Sequence, residues 1–269
     1  TEFDTVLSCS EDVNWFVIAW NHCGADTSDL WDYHVVDCDP PWATQIDPSD
    51  SAWTSCNDQQ ITLIVNDDMS IDTSSIRFTV NEVTYEITSP ELEIVDDSFL
   101  VFSPDPLWSD GDTVTWSLDS LSDELGIATF ILPSGIFYVD LSSPVAWDFL
   151  PVPGSIITTP TFSAGCWIAD SLSGLDTSSI YMSFDGAEWA LSSPAMFHEW
   201  DSLGLGMSLS VDSTYHYYFA EHNDSIEICV GGYDSPDYCE PNTLETCWEI
   251  YVDLEGPMVD PPFDPATGT

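Results

Sequence analysis

The sequence predicts an all-β chain of tandem two-sheet sandwiches with partial units at both ends. Three observations carry that prediction. The turn Asp-Thr-Ser-Ser-Ile and the alternation after it recur at a long period, short apolar–polar alternations lie between turn clusters, and eight cysteines accompany a single basic side chain other than histidine. A fixed long period marks a repeated structural unit.

The period sets a register. Asp72–Tyr85 reads DTSSIRFTVNEVTY, and DTSSIYMSFDGAEW begins 104 residues later at Asp176. Ser89-Pro90 then meets Ser193-Pro194, and three Asp-x-x-x-Pro endings (Asp37–Pro41, Asp140–Pro144, Asp253–Pro257) punctuate the chain. DGDTVTWSL from Asp110 answers HNDSIEICV from His222 at an offset of 112, so the second copy is longer after Pro194. The expected organisation is a set of closing strands over 1–36, a first repeat over 37–140 and a second over 141–253. A proline-rich linker or exchanged strand occupies 254–269.

Within each repeat the alternation has period two. Ile76, Phe78 and Val80 alternate with Arg77, Thr79 and Asn81, as Ile180, Met182 and Phe184 do with Tyr181, Ser183 and Asp185. That is a strand with one buried face. Runs such as QITLIV, SFLVFS, TVTWSL, GCWIAD, SIEICV and CWEIYVD recur between turn clusters, and no stretch of ten or more keeps a 3.6 period. Roughly 100 residues holding about seven short strands match a sandwich of immunoglobulin-like size. The alternation places Trp116, Trp167 and Phe184 inward. Asp-Thr-Ser-Ser reads as a turn that bonds its own backbone and launches the next strand in a fixed register. The competing reading makes Asp72 and Asp176 cation ligands.

A resemblance follows from these motifs. Asp-x-Ser-Ser-Ile, an alternating strand, Asn or Asp four residues before Tyr or Trp, then SDGDTVT and a closing YVDLSSP resemble the Ig-like repeats of large bacterial surface and secreted proteins. The resemblance covers both repeats. It implies sandwiches strung as beads, serving scaffolding, adhesion or display rather than catalysis. The second copy departs from the pattern, with HND in place of DGD and the longer hairpin.

The ends belong to the same arithmetic. Cys23 falls on Cys239 at an offset of 216, and DYHVVD from Asp32 answers EIYVD from Glu249. Residues 1–36 therefore read as the last strands of a preceding unit, and MVDPPFDPATGT as the opening of a following one. Either the chain is a stretch of a longer array, or it self-associates head to tail, one tail exchanging into the N-terminal segment of the next copy. Pro257, Pro261, Pro262 and Pro265 confine such a strand to an edge. No run of 18 apolar residues occurs, so membrane insertion is not expected.

Composition bounds the setting. The chain has 48 acidic side chains, one Arg, no Lys and a net charge of −47. With 43% hydrophobic residues, including 12 Trp, it can bury a core and is not an acidic disordered tail. Nucleic acid and anionic membranes need cationic residues at the contact, which excludes both as partners. The acidity fits three uses: divalent-cation ligation, high salt, or resistance to proteases that cut after Lys or Arg. An even cysteine count in a β-rich chain predicts disulfides and a secreted or cell-surface location. Spacing offers Cys9/Cys23, Cys38/Cys56 and Cys239/Cys247 as local staples and Cys166/Cys229 as a longer bridge. Against that bridge, strand parity turns both of its sulfurs outward.

No hydrolase, metalloprotease or phosphate-loop motif is present. The expected ligand is Ca²⁺, which takes six to eight carboxylate and carbonyl oxygens. Its candidate ligands are Asp67, Asp68 and Asp72, the counterparts Asp170 and Asp176, and the junction pair Asp37 and Asp39. The expected function is a non-catalytic extracellular structural protein, part of a fibre, filament or surface layer of head-to-tail units. The alternative, motivated by the aromatic content, is a carbohydrate-binding or adhesin module.

Overall fold

The computed structural model describes residues 12–34, 39–68, 70–211 and 221–256, the side chains of Ser210 and Val211 excepted. Contacts divide the chain into two compact units: Thr1–Ala52 with Asn57–Val139, and Trp53–Cys56 with Asp140–Thr269.

Two short antiparallel pairs come first. β1 (Asp12–Trp15) pairs with β4 (Trp31–His34), and β2 (Ile18–Asn21) with β3 (Gly24–Thr27). The first sandwich has a four-stranded sheet built from β5 (Trp42–Asp47), β7 (Ile61–Asn66), β11 (Phe99–Phe102) and β10 (Leu92–Val95), adjacent in that order. Its five-stranded sheet runs β6 (Ala52–Thr54), β13 (Ser134–Val139), β12 (Thr113–Ser120), β8 (Arg77–Val80), β9 (Val83–Tyr85). The second sandwich repeats both orders. β14 (Val145–Leu150), β16 (Phe162–Ala169), β20 (Leu205–Val211) and β19 (Met196–Trp200) form one sheet. The other runs β15 (Ile156–Ile157), β22 (Thr243–Val252), β21 (Ser225–Asp234), β17 (Leu175–Phe184), β18 (Ala187–Ala190). This is the two-sheet arrangement of tandem immunoglobulin-like sandwiches, the fold class that the alternation and the repeat predict.

The sequence period reappears as strand register. Phe78 lies opposite Leu118 and Val80 opposite Trp116. In the second unit Met182 lies opposite Val230 and Phe184 opposite Ile228, the same pairs displaced by 104 and 112. All eight side chains are buried. Burying each such side chain favours folding by about 1.5–3 kcal/mol, so this central strand pair anchors each core.

Two local devices hold that register. Asp72 Oδ1 accepts the Ser74 N–H at 2.9 Å and the Ser74 hydroxyl at 2.6 Å, while the Ser75 hydroxyl donates to the Asp72 carbonyl. Asp176 does the same with Ser178 and Ser179. After the strand, a two-residue turn reverses the chain, with φ of 46° and 67° at Asn81 and Glu82 and of 45° and 81° at Asp185 and Gly186. Both central residues are left-handed, as hairpins of this twist require. Asn81 Oδ1 then accepts the Thr115 N–H, and Asp185 Oδ1 the Glu227 N–H, each at 2.9 Å, clasping the turn to the neighbouring strand.

The cysteine pairing differs from the spacing-based expectation. Cys229 bonds Cys247 directly across β21 and β22, with Cα atoms 4.0 Å apart. Cys56 bonds Cys239, 183 residues away. These pairs replace Cys38/Cys56, Cys239/Cys247 and Cys166/Cys229. Cys23 is a free, exposed thiol, which removes Cys9/Cys23, and Cys9 and Cys38 lie outside the described residues. Cys166 is also a free thiol because its strand is phased one residue away from expectation. Cys166 and Ile168 are buried and Trp167 is only half-buried on the other face, opposite Trp147. Burial pushes the Cys166 thiol up to about 12.

Glu82 is the one turn position of the four held by neither Gly, Asn nor Asp. Replacing it should relieve a left-handed L-residue at the cost of some unfolded-state entropy. Glu82→Gly is expected to stabilise the first unit by roughly 0.5–1 kcal/mol, read as a higher urea midpoint at unchanged slope. Gly186→Glu should do the reverse in the second unit.

Candidate metal centre

Three carboxylates converge in the second unit. Asp140 follows the last residue of β13, Asp170 follows β16, and Asp234 ends β21. One oxygen from each lies within 4.8 Å of the others. Asp140 and Asp234 are 0% and 1% exposed, and Asp170 is half-buried. Asp234 arrives there by strand parity. It is the next inward position after Ile226, Ile228, Val230 and Gly232, all buried.

Backbone N–H groups orient the three. Asp140 accepts from Ser142 N at 3.1 Å and, through its other oxygen, from Ser173 N at 2.9 Å. Asp170 Oδ1 accepts from Leu172 N at 2.9 Å and Gly174 N at 3.0 Å. That wrap depends on Gly174, whose φ of +86° suits glycine. Asn242 clamps the third member. Its N–H and its amide group each reach the Asp234 carboxylate at 2.6 Å, and the amide also donates to the Asp140 carbonyl at 3.0 Å.

The electrostatics are unfavourable as they stand. Burial pushes the Asp170 carboxyl up against the pull of the Leu172 and Gly174 N–H groups, and the charge of Asp140 adds to the rise. Burial likewise raises Asp234 against its bonds from Asn242, with Asp140 and Asp170 adding. The sole Arg or Lys of the chain, Arg77, belongs to the first unit and bonds Ser74 O and Ile76 O beside Glu86. No Lys or Arg can therefore neutralise the cluster from within its own unit. Protons or a bound cation must do so.

The geometry suits a hard cation. Ligand oxygens 2.3–2.6 Å from Ca²⁺ are at most about 5 Å apart across the ion, so a spread of 4.8 Å is compatible with a single ion. A second group of three, Glu227 with Cys229 and Cys247, is closed to metal because its sulfurs form the disulfide.

Of the residues singled out by sequence, Asp170 joins the cluster and Asp39, Asp67, Asp68, Asp72 and Asp176 belong to neither group. Asp72 and Asp176 are turn residues, as described above, and Asp37 lies outside the described residues. Asp140 and Asp234 were missed. Asp140 was visible as repeat punctuation, and Asp234 could have been found by extending the inward parity of SIEICVGGYD. In the first unit Asp123 lies opposite Ile71 as Asp234 lies opposite Leu175. Asp123 is 1% exposed; Oδ1 accepts the Ile127 N–H at 2.6 Å, and Oδ2 makes no hydrogen bond among the described residues. Asp67 stands there at the position equivalent to Asp170, since Asn66 lies opposite Trp42 as Ala169 lies opposite Val145.

No protein-family model matches the chain, and no curated protein matches it. Among solved structures it is similar to a chimeric titin Z1Z2, at 12% identity over 80% of this chain and 98% of that one, with a TM-score of 0.29. It is also similar to the Ig1-2 module of the Drosophila receptor protein tyrosine phosphatase DLAR, at 13% identity, 80% and 100% coverage and a TM-score of 0.24. For the chicken CNTN1 FN1-FN3 domains the figures are 12%, 90%, 77% and 0.31. Likeness at this level carries no functional argument, and the fold assignment rests on sheet order and register.

The raised carboxyls fix a sign for pH dependence. A group whose folded-state value lies above its unfolded one contributes stability at low pH, lost as pH rises through the folded value. For Asp170 and Asp234 that window opens above the ordinary 3.8. In chelator-treated protein, Asp234→Asn should raise the melting temperature of the second unit at neutral pH. The gain should shrink as pH falls toward 4, and a gain independent of pH would contradict the assignment.

Proposed function

We propose that this chain is a structural or adhesive module of an extracellular assembly, a stretch of head-to-tail Ig-like units in which Asp140, Asp170 and Asp234 hold a Ca²⁺ ion. The observation that carries the reading is the buried carboxylate cluster in a unit without Lys or Arg, where Asp140, the residue after β16 and the end of β21 meet. An ion there ties Asp140, the 170–174 loop and the end of β21 together, which adds rigidity rather than chemistry. The two disulfides among the described residues suit the oxidising setting of such material.

Calorimetry tests this. Ca²⁺ at about 100 times its dissociation constant should stabilise the second unit by roughly 2.7 kcal/mol. NaCl at matched ionic strength should give only the part due to screening of the negative field. Asp170→Asn should abolish the Ca²⁺-specific part. Identical effects of CaCl₂ and NaCl would reject the site.

A second reading, carbohydrate binding, has one observation in its favour: Phe197 and Trp200 on β19 are 64% and 57% exposed. Retention on cellulose or chitin that is lost in Trp200→Ala would support it; passage of the parent protein through both would dismiss it.

A further inference from the structure

The first unit carries two acids at positions that hold the carboxylate cluster in the second. Asp67 follows β7 as Asp170 follows β16, in the same register against the neighbouring strand. Asp123 lies opposite Ile71 as Asp234 lies opposite Leu175. The two are also held alike. Asp123 N donates to Ile127 O at 3.1 Å, and Ile127 N to Asp123 Oδ1 at 2.6 Å. Asp234 N donates to Asn242 O at 3.2 Å, and Asn242 N to Asp234 Oδ1 at 2.6 Å. By sequence Asp37 stands before Pro41 as Asp140 stands before Pro144, but it lies outside the described residues and is assigned no role.

The units differ at the other carboxylate oxygen. Asp234 Oδ2 receives the Asn242 side-chain amide at 2.6 Å. Ile127, in the equivalent place, has no side-chain donor. Asp123 Oδ2 is therefore buried without a hydrogen bond among the described residues, on a side chain 1% exposed. Leaving a carboxylate oxygen buried in this way is costly. Arg77, the one Arg of the chain, is engaged by Ser74 O, Ile76 O and Glu86. A cavity next to the pair is lined by Asp67 and by Ile71, the residue opposite Asp123, with Asn66, Ser70 and Asp97 also on its wall.

We infer that Asp67 and Asp123 hold a second hard divalent cation, of the Ca²⁺ class, within the first unit. The ion is the partner that Asp123 Oδ2 otherwise lacks. Asp67 supplies the second negative charge, and the cavity supplies water ligands and a route in. This second site rests on the reading above, because its register is matched to the Asp140, Asp170 and Asp234 cluster taken as a metal centre.

It is the weaker of the two. The loop from Asp67 to Ile71 is one residue shorter than that from Asp170 to Leu175 and has no counterpart of Gly174. The Asn242 clamp is missing as well. Affinity for Ca²⁺ falls as ligand charge and rigidity fall, so the site should fill at Ca²⁺ concentrations at least about tenfold above those that saturate the second unit.

Hydrogen exchange on the whole, chelator-stripped protein reads the two units separately. Ca²⁺ should slow exchange of the Ile127 amide saturably and at least fivefold, and NaCl at matched ionic strength should not. Asp123→Asn keeps an oxygen for the Ile127 N–H and should abolish the slowing. Asp67→Asn, at a half-buried position where folding is not at stake, should weaken it at least tenfold. Neither change should alter the Ca²⁺ response of the Leu172 and Gly174 amides. In Asp234→Asn that response should vanish while the Ile127 response remains. No slowing by about 10 mM Ca²⁺, beyond the range of weak sites, would overturn the inference, as would slowing that survives Asp123→Asn. Loss of the Ile127 response in Asp234→Asn would also overturn it, since one ion in the second unit would then account for both. A response confined to the second unit removes this site and leaves the proposed function standing, whereas a response in neither unit removes both.

Discussion

Forty-eight carboxylates share a chain with one arginine and no lysine, so backbone N–H groups take the place of side-chain cations. The pattern recurs throughout. Asp72 and Asp176 accept N–H groups of their own turns, Asp112 accepts from Ser109, Asp201 from Leu203 and Gly204, and Asp224 from Glu221. Others reach across strands, as Asp50 does to Ile136 and Asp185 to Glu227. This favours a short acid. An aspartate reaches the N–H two residues on, whereas a glutamate overshoots, and the chain has 33 Asp against 15 Glu. The acids that make the chain so negative are thus also its turn formers.

Backbone donors have a limit, and the second unit meets it. A lone buried carboxylate can be held by two or three N–H groups. Asp140, Asp170 and Asp234 each have such donors, but their mutual repulsion remains. Hydrogen bonds orient the three without cancelling their charge, and a divalent ion is the economical remedy. The first unit has the same topology and carries acids at two of the equivalent positions, Asp67 for Asp170 and Asp123 for Asp234, but among the described residues no third carboxylate joins them in a cluster.

What could be read in advance follows the range of the interactions. The repeat, the alternation of Ile76–Val80 and Ile180–Phe184, and the Asp-Thr-Ser-Ser turn are local, and each set its part of the structure in view. Trp167 shows how fragile parity is, since a one-residue shift exchanges the faces of a strand and moves Cys166 into the core. Disulfides depend on tertiary neighbours. Nothing within the sequence near Cys56 points to Cys239, whereas Cys229 and Cys247 become partners only once β21 and β22 are aligned. The carboxylate cluster is of the same kind, assembled from three strand ends. In the acid-dense Asn66-Asp67-Asp68 only Asp67 is half-buried, at the register position of Asp170, while Asp68 faces solvent; Asp234 was within reach of a longer alternation count.

The central claim is that the second unit resolves its buried charge with one bound ion. Titration calorimetry of Ca²⁺ into chelator-stripped protein at neutral pH measures that directly. The account predicts a saturable site of one ion per chain, resistant to 0.15 M NaCl because a buried site is screened far less than a surface one, and absent in Asp234→Asn. Binding that is weak, unsaturable and abolished by salt, or that persists unchanged in the variant, would contradict it.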